Sequence, residues 1–130
     1  MTTFGMRKTL SCTFDQALAA APAALAREGF GVLTEIDVQS TLKQKLGVGF
    51  RRYKILGACN PSLAHEALQA ELEVGVMLPC NVVVYEDDDG KAVVVAIDPT
   101  TTMAATGNPG LEQLAEQVKT KLARVIGKLE

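Results

Sequence analysis

Residues 80–97 read CNVVVYEDDDGKAVVVAI, and the reading of this stretch decides the fold. Two runs rich in β-branched residues, Cys80 to Glu86 and Lys91 to Ile97, flank the polar segment Asp87-Asp88-Asp89-Gly90. Branching at Cβ suits a pleated strand, and an Asp-Gly pair suits a tight turn, so the stretch predicts a β-hairpin. Both parities of each strand are apolar. Val82 and Val84 fall on one face and Val83 and Tyr85 on the other, while Val93 and Val95 oppose Val94. A sheet with one wetted face alternates apolar and polar side chains, so these strands are expected to be covered on both sides.

Upstream of the hairpin, Asn60-Pro61 predicts a helix start: the asparagine side chain caps free amides, and proline at the first position lacks a donor that would be orphaned anyway. Leu63, Ala67 and Leu68 line that helix, and Phe50 to Cys59 reads as the strand before it. Asp37 caps a short helix carrying Val38, Leu42 and Leu46, broken by Gly47 and Gly49. Phe30 to Ile36 reads as a strand. Thr13 with Gln16 forms a capping box ahead of Phe14, Leu18, Ala21 and Leu25 at helical spacing. Pro22 falls inside that helix and is expected to kink it or shift its start. Gly29 ends it, and Met6 to Cys12 reads as the first strand.

Downstream, Asp98-Pro99 leads into a threonine-rich loop, and Asn108-Pro109 starts the last helix. Its Leu111, Leu114, Ala115, Val118, Leu122, Val125, Ile126 and Leu129 give the clearest periodic signal of the chain. Four helices, two of them short, cover one face of a five-stranded sheet but not both. A second copy of the chain or a ligand is expected over the other face, the alternative being a loop or helix of the same chain.

With 130 residues, 48 % apolar and 22 % charged, residues 1–130 are expected to form one domain with one core. The 13 basic and 15 acidic residues leave a net charge of −2, which offers no field for a phosphate backbone or an anionic membrane surface. No run of apolar residues reaches a membrane span. Arg7 and Lys8 precede the alanine-rich run Ala17 to Ala26, but Ser11, Cys12, Thr13, Asp15 and Gln16 interrupt the pattern of an export signal. A cytoplasmic setting is therefore expected, with Cys12, Cys59 and Cys80 kept as thiols.

The most distinctive segments are Gly57-Ala58-Cys59-Asn60-Pro61 and Leu78-Pro79-Cys80-Asn81. Each sets a Cys-Asn pair at a strand boundary, one at a strand end and one at a strand start. Neighbouring antiparallel strands would bring the two thiols close. Cys59 precedes a helix N-terminus, where amides and dipole favour a thiolate, and is the better candidate for a reactive thiol. The candidate ligand or thiol site is thus Cys59, Asn60, Cys80 and Asn81, with Asp98 at a strand end beside a loop. His65, the chain's single histidine, could join Cys59 and Cys80 as a metal ligand. Against this, neither cysteine stands in a CxxC pair, and a buried free cysteine often does no more than pack. Cys12 shares parity with Met6 and Leu10 and reads as core.

Other patterns are weaker. The acidic run Glu86 to Asp89 reads as a solvated hairpin tip and lacks the spacing of a calcium loop. Lys43, Lys45, Arg51, Arg52 and Lys54 form a modest basic cluster without aromatic stacking partners. Gly47-Val48-Gly49 is too short for a phosphate loop. Ser62, His65 and Asp98 make a triad only by free choice. No specific motif implies a cofactor.

Four segments, EGFGVLTEID at residues 28–37, YKILGACNP at 53–61, LPCNVVVYE at 78–86 and IDP at 97–99, resemble the domain of unknown function 302 family, and the resemblance runs from about Phe4 to Leu129. It implies an α+β, TBP-like fold of β-α-β-(β)n-α order, its antiparallel sheet packed against helices, and association into a dimer. It implies no biochemical activity, and a shared topology does not carry function. Three readings follow: a homodimeric binding module for a small molecule or anion, a thiol- or metal-dependent enzyme or redox sensor using Cys59 and Cys80, and a structural or interaction protein. Neither nucleic acid nor a membrane is expected as a partner.

Overall fold

The computed structural model describes residues 4–130; residues 1–3 of the expected domain lie outside it. Five strands, β1 (Gly5–Thr9), β2 (Gly31–Asp37), β3 (Tyr53–Cys59), β4 (Cys80–Glu86) and β5 (Ala92–Ile97), make one antiparallel sheet in the order β1-β5-β4-β3-β2. Among the described residues the helices are α1 (Phe14–Arg27), α2 (Val38–Leu46), α3 (Pro61–Ala70), α4 (Pro99–Met103) and α5 (Pro109–Gly127), with 3-10 turns at Leu72–Met77 and Ala104–Thr106. The fold class is α+β.

The β4–β5 hairpin closes as its sequence dictates. Gly90 takes φ +78°, its amide donates to the Asp87 carbonyl, and the Asp87 carboxylate accepts from the amides of Asp89 and Lys91. The capping box of α1 forms, Thr13 Oγ1 accepting from the Gln16 amide while Gln16 Oε1 accepts from that of Thr13. This helix starts at Phe14 and continues through Pro22, so the proline does not shift its start. Gly29, at φ +85°, then turns the chain, its amide and that of Phe30 satisfying the last carbonyls of α1.

The larger differences from the sequence reading are these. β3 begins at Tyr53 rather than Phe50, and β1 ends at Thr9, so Cys12 lies beyond the strand, though it still packs against the core. The threonine-rich segment after Asp98 is a short helix and a 3-10 turn rather than a loop. Threonine is a poor helix former, but the Asp98 side chain caps the first turn and Met103 is buried at its end.

The two faces of the sheet diverge. Leu56, Ala58, Val82, Val84, Val94 and Ala96 point into one core shared with α1 and the C-terminal half of α5, each at most 1 % exposed. Burying a side chain of this size contributes about 1.5–3 kcal/mol, so this face carries much of the stability. On the other face, register sets Ile36 opposite Ile55, Ile55 opposite Val83, and Val83 opposite Val95, forming an aliphatic row across four strands. Beside it Tyr53 stacks on Tyr85, ring centroids 5.5 Å apart, with Phe50 next to Tyr53 at 6.1 Å. None of these residues belongs to either cluster of core residues, and Ile36 and Phe50 stay 48 % and 44 % exposed. The short α2 rests on β3 and buries none of its own residues.

A smaller core lies beyond the end of the sheet, where Ala67, Val74, Met103, Leu111 and Ala115 join α3, the 3-10 turn after it, α4 and the start of α5. The two cores meet where β3 ends and β4 begins.

Candidate functional site

Ala58 pairs with Cys80 across β3 and β4, so Cys59, the next residue, adjoins Cys80 along the chain ends with the opposite strand parity. The conditional expectation is met: the two Cys-Asn segments meet at one end of the sheet. Both cysteines line a small apolar cavity of about 40 Å³ between the sheet end, α3, α4 and α5. Phe30, Leu63, Leu78, Leu111 and Val118 supply much of its wall, and Met103 joins them from α4. None of the residues lining it is charged.

Each sulfur-bearing residue is placed by local chemistry. Cys59 ends β3 because Asn60 turns the chain into α3. The Asn60 carboxamide oxygen accepts from the Leu63 amide at 3.4 Å, and its nitrogen donates to the Glu28 carbonyl at 3.4 Å, tying the start of α3 to the end of α1. Cys80 opens β4 directly after Leu78-Pro79, whose peptide bond is cis. On the other face of that sheet end, Gly57 leaves the space that its neighbours fill: a Cβ there would lie 2.2 Å from Thr34 Oγ1 and 2.8 Å from Pro79 Cγ. Met103 arrives through α4, which Asp98 caps.

Burial first, and then the neighbouring Cys59, push the Cys80 thiol up to about 11. At neutral pH Cys80 is a protonated, weakly nucleophilic thiol. All three cysteines are free.

Not every predicted site residue is here. Cys59, Asn60 and Cys80 line the cavity, but Asn81 and Asp98 do not. Asn81 follows Cys80 on the opposite parity of the strand and is exposed. The Asp98 carboxylate is engaged elsewhere: Oδ1 accepts from the Thr100 amide and hydroxyl, and Oδ2 pairs with Lys119 Nζ at 3.1 Å. Burial opposes its ionisation, but the bonds from Thr100 and Lys119 outweigh that and hold its carboxyl below the usual value. It is a cap and a clamp between α4 and α5.

The metal set of Cys59, Cys80 and His65 is not assembled. Leu63, Ala64 and Ala67 occupy the inward side of α3, which leaves His65 exposed to solvent. Among the described residues, no three His, Cys, Asp or Glu side chains are grouped to hold a metal ion. The residue that sequence reasoning missed is Met103. Its signal was one large apolar side chain in a run of threonine and alanine.

Five antiparallel strands packed with helices, and an uncharged cavity at the sheet end, define a small α+β protein with an apolar site. The chain belongs to the family described as domain of unknown function DUF302, whose model matches residues 6–129. It is similar to a solved structure described as an uncharacterized conserved protein DUF302 from Bacillus stearothermophilus, at 29 % identity and a TM-score of 0.92, covering 99 % of this chain and 100 % of that one. No curated protein matches it. Among the described residues, no helix is long and apolar enough to cross a membrane.

Proposed function

We propose that the protein is a small homodimeric binding module whose ligand is apolar and enters the cavity at Cys59 and Cys80. The observation that carries this reading is the cavity itself, uncharged, next to a strand end and a helix start. Its 40 Å³ holds about three waters, far short of the roughly 300–1,000 Å³ of an ordinary metabolite pocket. Only a small group, or one part of a larger ligand, fits. An anion, the other ligand class expected from sequence, finds no cationic partner in this wall.

The dimer half of the reading rests on the aliphatic row Ile36-Ile55-Val83-Val95 and the Tyr53-Tyr85 stack. Sheets with apolar faces pack face to face, and a second copy brings a face of the same kind. The TBP-like topology implied by the family resemblance, and a cytoplasmic setting that keeps the thiols reduced, belong to the same proposal.

Two measurements test it. Short aliphatic alcohols should raise the melting temperature while the matching carboxylates do not, because a ligand that binds only the native state stabilises by mass action, about 2.7 kcal/mol at a hundredfold excess over Kd. Light scattering on a sizing column should give twice the chain mass. A monomer that responds to neither series would overturn the reading.

A further inference from the structure

Sixteen residues line the cavity at the sheet end, and every one of them is buried or partly buried. Their one amide side chain, that of Asn60, has both ends engaged, its oxygen with the Leu63 amide and its nitrogen with the Glu28 carbonyl. The Cys80 thiol stays protonated at neutral pH, and a thiol is a weak hydrogen-bonding group. A trapped water needs about two to four polar partners, so a wall this poor in free polar groups holds water badly and suits an apolar guest.

We propose that the cavity takes up a whole apolar molecule, a dissolved gas or an ethane-sized hydrocarbon, and that Met103 sets the upper limit on its size. The proposal rests on the reading of this cavity as a binding site for an apolar ligand. It adds that the ligand is free-standing rather than one end of something larger, and it does not depend on the dimer.

Size separates the candidates. Benzene occupies an engineered apolar cavity of about 150 Å³. The space here is about 40 Å³, enough for a gas atom or a diatomic and too little for a ring. A guest without hydrogen-bonding groups leaves nothing unpaired in this wall, whereas a buried hydroxyl would stand without a partner. An alcohol therefore enters alkyl end first, with its hydroxyl left at the rim.

The wall is unequal around that space. Leu63 stands on α3 and Leu111, Leu114 and Val118 on α5, helices of 10 and 19 residues. Met103, 6 % exposed, ends α4, a helix of five residues that the Asp98 side chain caps. It is also the unbranched, flexible side chain of the set, the kind that fills an irregular gap. Shortening it enlarges the chamber while leaving the sheet end and the two longer helices as they are.

The test uses xenon and benzene. A ligand of so few atoms binds weakly, because affinity per atom has a ceiling, so xenon is applied under pressure. The methyl resonances of Leu63, Leu111, Ala115 and Val118 should shift together and saturate as one site. Ala64→Leu, which fills the space from α3, should abolish that saturable shift, and circular dichroism should show its native fold. Benzene should leave the wild-type melting temperature unchanged and raise that of Met103→Ala. If Met103→Ala does not fold, Met103→Val serves in its place. Absence of a saturable xenon shift, or the same shift in Ala64→Leu, would overturn the proposal, and benzene binding to the wild type would remove Met103 as the limit. If alcohols raise the melting temperature while xenon has no site, the cavity still receives one end of a larger ligand, and the free-standing guest alone is wrong.

Discussion

Val83 and Val84 are neighbours of identical chemistry, yet they live in different surroundings. Val84 is fully enclosed under α1, while Val83 is only partly buried, in a row that ends at the exposed Ile36. The same contrast separates Leu56 from Ile55 one strand away. β-Alternation puts apolar residues on both faces, and the helices enclose one of them more completely, although Val93 on the open face is fully buried too. An apolar side chain contributes by the area it loses to its surroundings, so burial, and not residue type, sets what a substitution costs.

The largest effect should come from the enclosed face. Leu56→Ala should lower unfolding free energy by about 2–5 kcal/mol, read from denaturant midpoints, since it removes buried methyl groups and leaves a void. Ile55→Ala, beside it on the open face, should cost nearer 1 kcal/mol in a monomer. Equal costs at a concentration where the chain is monomeric would break the contrast. Next, if copies meet on this face as proposed, Val83→Lys should leave the far-ultraviolet spectrum unchanged but halve the mass seen by light scattering, because a charge centred in an apolar contact is left unpaired. A Val83→Lys protein that keeps the wild-type mass would show that the open face is not where copies meet.

Asp98→Ala should cost about 1 kcal/mol, the usual worth of a helix cap. The native carboxyl titrates below its ordinary value, so its contribution is present above about pH 4 and fades as pH falls through the lowered native value. The gap between wild type and variant should therefore close in strong acid, and a gap that persists there would mean that packing rather than ionisation is lost. The smallest effect belongs to Asp88→Asn at the hairpin tip. Its partner Arg51 lies 2.9 Å away with both side chains exposed, and no measurable shift in midpoint is expected.

The two-faced hairpin was legible because β-branched alternation and Asp-Gly are local signals. So were the Asn60-Pro61 and Asn108-Pro109 helix starts, where one side chain and one missing donor suffice. The pairing of β1 with β5 was not, since it joins residues some ninety apart in sequence through no local rule. The Cys59–Cys80 meeting was legible only as a condition on strand order. Met103 escaped because α4 owes its existence to a cap and to packing on α5, both of which override threonine's low propensity. Asp98 was misjudged for the same reason: its partner Lys119 lies on a helix that sequence cannot place beside it.

Gly57 ties several of these threads. Its missing side chain lets Thr34 and Pro79 nestle against the main chain of the central strands. Even one methyl group there acts as a wedge. Pro79 would have to retreat, dragging the adjoining Cys80 out of step with Ala58. A substitution on the far side of the sheet would thereby spoil the sulfur-lined chamber without touching it.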